Sequence, residues 1–215
     1  MRQFSHLESF INAFFLTLCM RKLILASGSP RRKQLLQQLI GKNFEVKESA
    51  YDEDNNPNLE PLEIVLHHSL QKGKDVAKFF NSGLVISADT IVLFGDKLLG
   101  KPYSEEKAKK ILRSISGQWI KVLTGVTVID IDYEKEIQSY EETRIKMKIM
   151  SEKEIYAYVK SGEPLDKAGA FGVQEKGAIF VEKIEGCYFN IVGLPLFLLN
   201  TMLEQLGISI FDYNS

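Results

Sequence analysis

Along this chain the spacing of apolar residues switches repeatedly between alternation or short continuous runs and a three-to-four-residue period. Those switches divide it into strands and helices. KLILAS, from Lys22 to Ser27, is a buried-type strand. Ser29 then suits an N-cap and Pro30 the first helical position. Leu35, Leu36, Leu39 and Ile40 form that helix's apolar stripe, and Gly41 ends it. FEVKES predicts a short strand that runs into an acidic polar loop, Asp52 to Asn58. Pro61 opens a long helix to about Phe80, with a stripe that includes Ile64, Leu70 and Ala77. LVISAD is a strongly apolar strand, and TIVLFGDKLLG continues it through a Gly-Asp turn into a second short strand. Ser104 to Ile115 reads as a helix with Glu105 and Glu106 at its positive end.

IKVLTGVTVIDI and TRIKMKIM are the next strands. In the second, Ile145, Met147 and Ile149 alternate with Arg144, Lys146 and Lys148, as a half-exposed strand requires. Ser151 and Glu154 make a capping box for a helix that ends near Gly162. SGEPLDKAGAFGVQEKGA is a glycine-rich loop, IFVEKI and YFNIV are strands, and Gly193-Leu194-Pro195 leads into a closing helix up to Gly207. Strands alternate with helices, but several neighbours pair as antiparallel strands. The expected class is α/β with a mixed sheet.

Composition narrows the function more than the fold. The chain has 215 residues, 45% hydrophobic and 26% charged, with a net charge of -1. That balance, with no basic run, argues against a broad nucleic-acid surface. Cys19 and Cys187 have no CxxC spacing, which argues against a disulfide framework or a zinc site. The three histidines, His6, His67 and His68, lie outside any glycine-rich or strand-end motif. SFINAFFLTLC is too short to span a bilayer, and Cys19-Met20-Arg21 is a poor signal-peptidase site. Residues 1–20 are therefore read as an extension, either an extra helix or sequence upstream of a start at Met20. A single domain of two lobes covers 21–209, with a tail at 210–215. The expected setting is cytoplasmic.

Candidate chemistry centres on charges in unusual places. Arg31 and Arg32 fall in a helix's first turn, where positive charge is disfavoured. The Ser27-Gly28-Ser29 turn before them offers free N–H groups, so a bound polyphosphate would explain both arginines; the alternative is that they point into water. GDKLLGKP matches GxxxxGK, but Pro102 stands where a P-loop needs a hydroxyl, so only Lys101 is kept as a candidate. Asp89 ends LVISAD, where a carboxylate can hold a metal or activate water; the acidic loop containing Glu53 either brings a second carboxylate to it or is a solvated turn. Asp130 and Asp132 form a rival D-x-D motif like that of haloacid-dehalogenase-type phosphatases, although Glu134 replaces the expected Thr or Val and DYEKE also reads as a charged hairpin turn between exposed strands. Lys167 and Gln174 lie on the glycine-rich loop, and the Gln174 amide can match O4 and N3–H of a uracil or thymine ring.

Taken together, LASGSPRR, ADTIVLFGDKLLGKP, TGVTV, SGEPLDKAGAFGVQEKGA and IEGCYFNIVGLPL resemble the Maf family of nucleoside triphosphate pyrophosphatases, from about Lys22 to Leu206. SGEPLDKAGAFGVQ is similar to the branch acting on dTTP and UTP. The resemblance implies an elongated mixed sheet flanked by helices, with two lobes and a central cleft. It also implies hydrolysis of the triphosphate to monophosphate and pyrophosphate, a divalent metal (Mg²⁺ or Mn²⁺), and a homodimer; from charge and apolar-run length, neither nucleic acid nor membrane is an expected partner. Residue by residue it makes Asp89 the catalytic carboxylate, Asp89 and Glu53 the metal ligands, and Lys72 and Lys101 the site lysines. Ser27, Ser29, Arg31, Arg32, Thr90, Lys101, Lys167 and Gln174 become the substrate contacts. HSLQKGK departs from the family's usual LAxxKA, which leaves Lys74 as an alternative to Lys72. Ile120, Phe171 and Cys187 stand where His, Tyr and Ser are common. Two other readings stay open: a non-catalytic nucleotide-binding protein on the same fold, and an aspartyl phosphatase using Asp130 and Asp132.

Overall fold

The computed structural model describes residues 21–53 and 59–213. The expected extension at 1–20, the tip of the acidic loop at 54–58 and the last two residues lie outside this range. Seven strands form one sheet: β1 (Leu23–Leu25), β2 (Glu45–Val46), β3 (Leu84–Phe94), β4 (Lys97–Leu98), β5 (Trp119–Asp130), β6 (Lys135–Met147) and β7 (Val181–Glu185). Their order is β2-β1-β3-β5-β6-β7, with β4 also on β3. β1 is parallel to β2 and β3, and all other pairs are antiparallel, so the sheet is mixed as expected. The helices are α1 (Pro30–Ile40), α2 (Pro61–Ala77), α3 (Glu105–Ile115), α4 (Glu152–Lys160), α5 (Tyr188–Val192) and α6 (Leu196–Glu204).

Two apolar clusters share one face of the sheet. Leu84, Ile86, Val126 and Val128 pack with α1 and α6. Val92, Ile120, Val122 and Ile145 pack with α3 and α4. The seam between these two lobes is polar: Thr90 pairs with Thr124 across β3 and β5, their hydroxyls 2.9 Å apart. The opposite face lies under α2.

α2 differs from its predicted stripe. Its buried residues are Val65, His68, Ser69, Gly73 and Val76, whereas Ile64, Leu70 and Ala77 are only partly covered. Small and polar residues face the sheet because the helix sits almost on the backbone. A Cβ on Gly73 would come within 2.7 Å of Ser87 Oγ, and one on Gly125 within 2.4 Å of the Val65 carbonyl oxygen. The polar groups trapped there satisfy one another. Ser87 donates to the Ser69 carbonyl at 2.7 Å, and the Ser69 and Thr127 hydroxyls lie 2.8 Å apart.

Three further expectations change. YFNIV is not a strand but the short helix α5. Asn190 is fully buried there, and its amide donates to the Val122 carbonyl and to Thr143 Oγ1. Those long-range bonds override the β propensity of the segment. β6 begins at Lys135, earlier than predicted, and ends before Ile149, which is 82% exposed. The expected tail packs against the domain: Ile210–Tyr213 form a 3₁₀ turn, with Tyr213 buried and its hydroxyl donating to the Arg21 carbonyl.

Candidate active site

The site lies in a gap in the sheet. β1 pairs with Leu84–Ile86, and Ala26 makes the last tie, its N–H to the Ile86 carbonyl. β4 rejoins the same edge at Leu93–Phe94, preceded by the Leu99 N–H on the Val92 carbonyl. The edge of β3 between these ties carries Asp89 and Thr90. Asp89 is therefore mid-strand, not at a strand end as expected. It lies past the carboxyl end of β1, which is where a crevice opens in such sheets. The chain leaving β1 supplies Ser29, Arg31 and Arg32, and the chain leaving β4 supplies Lys101. This is how a segment that fails as a P-loop still delivers its lysine.

Two adjoining cavities form the cleft. One reaches under the 3₁₀ loops and is lined by Thr90, Val92, Val122, Phe171, Val173 and Gln174, among others. The other follows the Ala26–Pro30 turn, with Glu48, Ser49 and Tyr51 opposite. Ser29, Arg31, Arg32, Glu53, Lys72 and Lys101 belong to both. The middle of the cleft thus carries four cations. One end is largely apolar, and the other is a turn of small residues.

Lys72 is the hub. Its ammonium is 2.6 Å from Asp89 Oδ1 and 2.5 Å from Glu53 Oε1. The close seating of α2 on the sheet creates this contact. Lys74 faces away and pairs with Glu136 at 3.1 Å, so Lys72 is the lysine in the cleft. Burial pushes the Glu53 carboxyl up, but the hydrogen bond and charge of Lys72 outweigh that and hold it below the usual range.

Arg32 is anchored rather than free. Its Nε donates to the Gly193 carbonyl at 2.8 Å and its Nη2 to Thr90 Oγ1 at 3.0 Å, while Nη1 reaches Ser27 Oγ at 3.5 Å. Burial lowers its pKa, opposed by the charges of Asp89 and Glu53. Its remaining N–H groups are available to an anion in the cleft. Arg31 and Lys101 line the same space, Lys101 exposed and Arg31 half-buried. Ser29 Oγ caps α1 by accepting the Arg32 N–H, and Ser27 Oγ accepts the Ser29 N–H. The phosphate-side turn is thus partly closed on itself. Gln174 is exposed on the apolar end. Lys167 differs from expectation. Its stem lines the cleft, but its ammonium is directed to the Glu163 carbonyl, Asp166 and Glu175 at 2.9, 3.1 and 3.4 Å.

Sequence reading missed Tyr51 and His68. The Tyr51 hydroxyl lies 3.1 Å from His68 Nδ1, tying the segment that carries Glu53 to α2 one turn before Lys72. The available signal was helical spacing: His68 and Lys72 are four residues apart and share a face.

The rival motif is elsewhere. Arg21 forks onto Asp130 and also binds Asp132. None of these three lines either cavity. Asp130 is held below the usual carboxylate range chiefly by its Arg21 hydrogen bonds, and it caps the turn by accepting the Tyr133 N–H. It is bonded into the turn and lies outside both cavities of the cleft, so the phosphatase reading is set aside.

Among the described residues no group of three or more His, Cys, Asp or Glu side chains could hold a metal. Asp89 and Glu53 nevertheless lie side by side, both bonded to the Lys72 ammonium. Their oxygens suit a hard cation that takes its remaining ligands from phosphate and water.

A mixed α/β fold with a polycationic cleft around paired carboxylates defines a protein built for a polyphosphate anion. The chain belongs to the Maf-like protein family, whose model matches residues 22–206. It is 58% identical over 193 residues to the dTTP/UTP pyrophosphatase of Methanosarcina barkeri, covering 90% of this chain and 98% of that one. The dTTP/UTP pyrophosphatase of Acetivibrio thermocellus is 47% identical over 198 residues, covering 89% and 98%. Among solved structures, a HAM1 protein from Coxiella burnetii aligns with a TM-score of 0.49 at 15% identity, covering 86% of this chain and all of that one.

Proposed function

We propose that this protein hydrolyses dTTP and UTP, or modified pyrimidine nucleotides of the same shape, to the monophosphate and pyrophosphate, and so clears the nucleotide pool. The observation that carries the reading is the Lys72–Asp89–Glu53 cluster inside a cleft that also holds Arg31, Arg32 and Lys101. Relatives of near-equal length that bear the name dTTP/UTP pyrophosphatase support it.

In this reading the triphosphate lies along the cationic middle of the cleft, against the Ser27–Ser29 turn. Arg31, Arg32 and Lys101 offset its charge, and more so as charge builds on the leaving pyrophosphate. Asp89 orients a water and accepts its proton as the oxygen attacks the α-phosphorus and the bond to the bridging oxygen breaks. Lys72 holds the Asp89 and Glu53 side chains together at the floor of the cleft. A divalent metal, Mg²⁺ or Mn²⁺, would be held by Asp89 and Glu53 and would neutralise phosphate charge. Thr90 and Gln174 face the pyrimidine, with the Gln174 amide offering a donor and an acceptor. A homodimer working in the cytoplasm completes the proposal; light scattering of the purified chain tests the first part.

The experiment is pyrophosphate release from a panel of nucleoside triphosphates, with Mg²⁺, Mn²⁺ or a chelator. UTP and dTTP should turn over with metal present and stop with chelator. Absence of pyrophosphate from every triphosphate, with nucleotide binding retained, would favour a non-catalytic nucleotide-binding protein. Dependence on Asp130 rather than Asp89 would restore the phosphatase.

A further inference from the structure

Gln174 is carried by a loop, yet a residue that reads a base must be held to a fraction of an ångström. What holds it is a side chain outside the cleft. The Glu163 carboxylate accepts the Tyr158 hydroxyl and the Gly177 N–H on Oε1, both at 2.9 Å, and the Lys176 N–H on Oε2 at 3.1 Å. The Tyr158 hydroxyl in turn accepts the Gly172 N–H at 3.1 Å. The Glu163 carbonyl accepts the Lys167 ammonium at 2.9 Å. The backbone is therefore gripped on both sides of Gln174, at Gly172 before it and at Lys176 and Gly177 after it. The fit is tight: a Cβ on Gly177 would lie 2.5 Å from the Tyr158 hydroxyl and 2.7 Å from the Gly172 nitrogen. Tyr158 is 5% exposed, and its ring packs edge-on against Phe180 at 5.1 Å, so the grip is rooted in the core of the α3–α4 lobe. Burial, reinforced by Glu163, pushes the Tyr158 hydroxyl well above its ordinary pKa, so it stays a donor to the carboxylate at every working pH.

We propose that Glu163 is a positioning residue for base selection: with Tyr158 it holds the 172–177 segment so that Gln174 meets the pyrimidine edge. The inference rests on the pyrophosphatase reading, and Glu163 itself touches neither phosphate nor base. The two acceptor oxygens of a carboxylate suit this place, since all of its neighbours there are donors. Glu163→Gln turns a donor toward donors and loosens the segment.

The test measures three quantities on Glu163→Gln and on Tyr158→Phe. They are KM and kcat for UTP, the preference for UTP over CTP, and inhibition by inorganic tripolyphosphate, which has the phosphates and no base. For Glu163→Gln, KM for UTP should rise about tenfold and the UTP preference should fall by a similar factor. Changes in kcat and in tripolyphosphate inhibition should stay within about twofold. Tyr158→Phe should move the same way by a smaller factor, since it removes one hydroxyl and keeps the ring. Equal weakening of UTP and tripolyphosphate in both variants would make Glu163 merely structural and overturn the proposal, as would an unchanged UTP preference. If Glu163→Gln does not fold, Tyr158→Phe decides between the same outcomes. A wild-type protein that releases no pyrophosphate from UTP sinks the functional reading instead, before either variant is made.

Discussion

Two places along the β3–β5 ladder carry the same charge motif, one cation between two carboxylates, and only one of them lines the cleft. Lys72 joins Asp89 and Glu53 in the cleft. Arg21 joins Asp130 and Asp132 at the start of β3, five residue pairs along the same β3–β5 ladder. The second copy is the more securely bonded. Arg21 engages Asp130 through both terminal nitrogens and lies 5.3 Å from the Tyr133 ring centre, and Gly83 donates its N–H to Asp132. A fork-shaped cation on a carboxylate is a lock. Lys72 is a point charge on a flexible stem, and it faces a cavity that Arg31, Arg32 and Lys101 also line. The difference teaches that acidic residues with a cation become chemistry only where there is room for a ligand and a surplus of the opposite charge.

The largest expected effect breaks the comparison outright. Asp89→Asn should cut pyrophosphate release by about 10²–10⁴, the range for a lost general base, while circular dichroism shows the fold retained. Asp130→Asn should leave turnover within about twofold. Near-normal turnover in the first, or collapse in the second, would reverse the assignment of the two clusters.

The anchoring of Arg32 sharpens the comparison next. Arg32→Ala removes a buried group bonded to Gly193 and Thr90, so it should lower both substrate affinity and melting temperature. Arg31→Ala should raise KM by about tenfold with melting unchanged, because no hydrogen bond or ion pair ties its side chain among the described residues. Equal stability losses in the two would contradict this division. Relieving the helix dipole is thus a benefit only at Arg31, since at Arg32 tertiary bonds outweigh it.

A smaller effect is stability at the structural copy. Asp130→Asn removes the buried carboxylate that Arg21 forks onto, leaving it Asp132 alone, and should cost about 2 kcal/mol, or roughly 5 °C in Tm, read by thermal melting.

The smallest is its pH dependence. Arg21 holds the folded-state pKa of Asp130 below the unfolded value of about 4. The stabilisation is therefore complete above that value and is lost as pH falls through the lower folded pKa. Between pH 5 and pH 2 the wild type should lose more of its Tm than Asp130→Asn does. Parallel losses would mean that the pair adds nothing to acid stability.

Several features were legible because neighbours along the chain cause them. The Ser29 cap and Pro30 define the start of α1, and the Ser151–Glu154 capping box starts α4. The charged turn after Asp130 and the Gly95-Asp96 turn close the β5–β6 and β3–β4 hairpins, and the mixed sheet followed from the pattern of strands. The identity of the charged candidates was equally visible, since arginines in a helix's first turn and a carboxylate in an apolar strand contradict local preference.

What the tertiary structure alone decided depends on distant partners. α2 turns Ser69 and Gly73, not Ile64 and Leu70, to the sheet because the approach leaves no space for larger side chains, and that rotation selects Lys72 over Lys74. YFNIV winds into a helix because Asn190 finds its partners on β5 and β6. Asp89 lies mid-strand at an open edge because β1 stops early and β4 joins late, facts carried by other segments. Lys167 turns from the cleft to acceptors on its own loop. Caps and periodicity are encoded within a few residues, whereas burial, pairing and the shape of a cleft arise only when segments far apart in the chain meet.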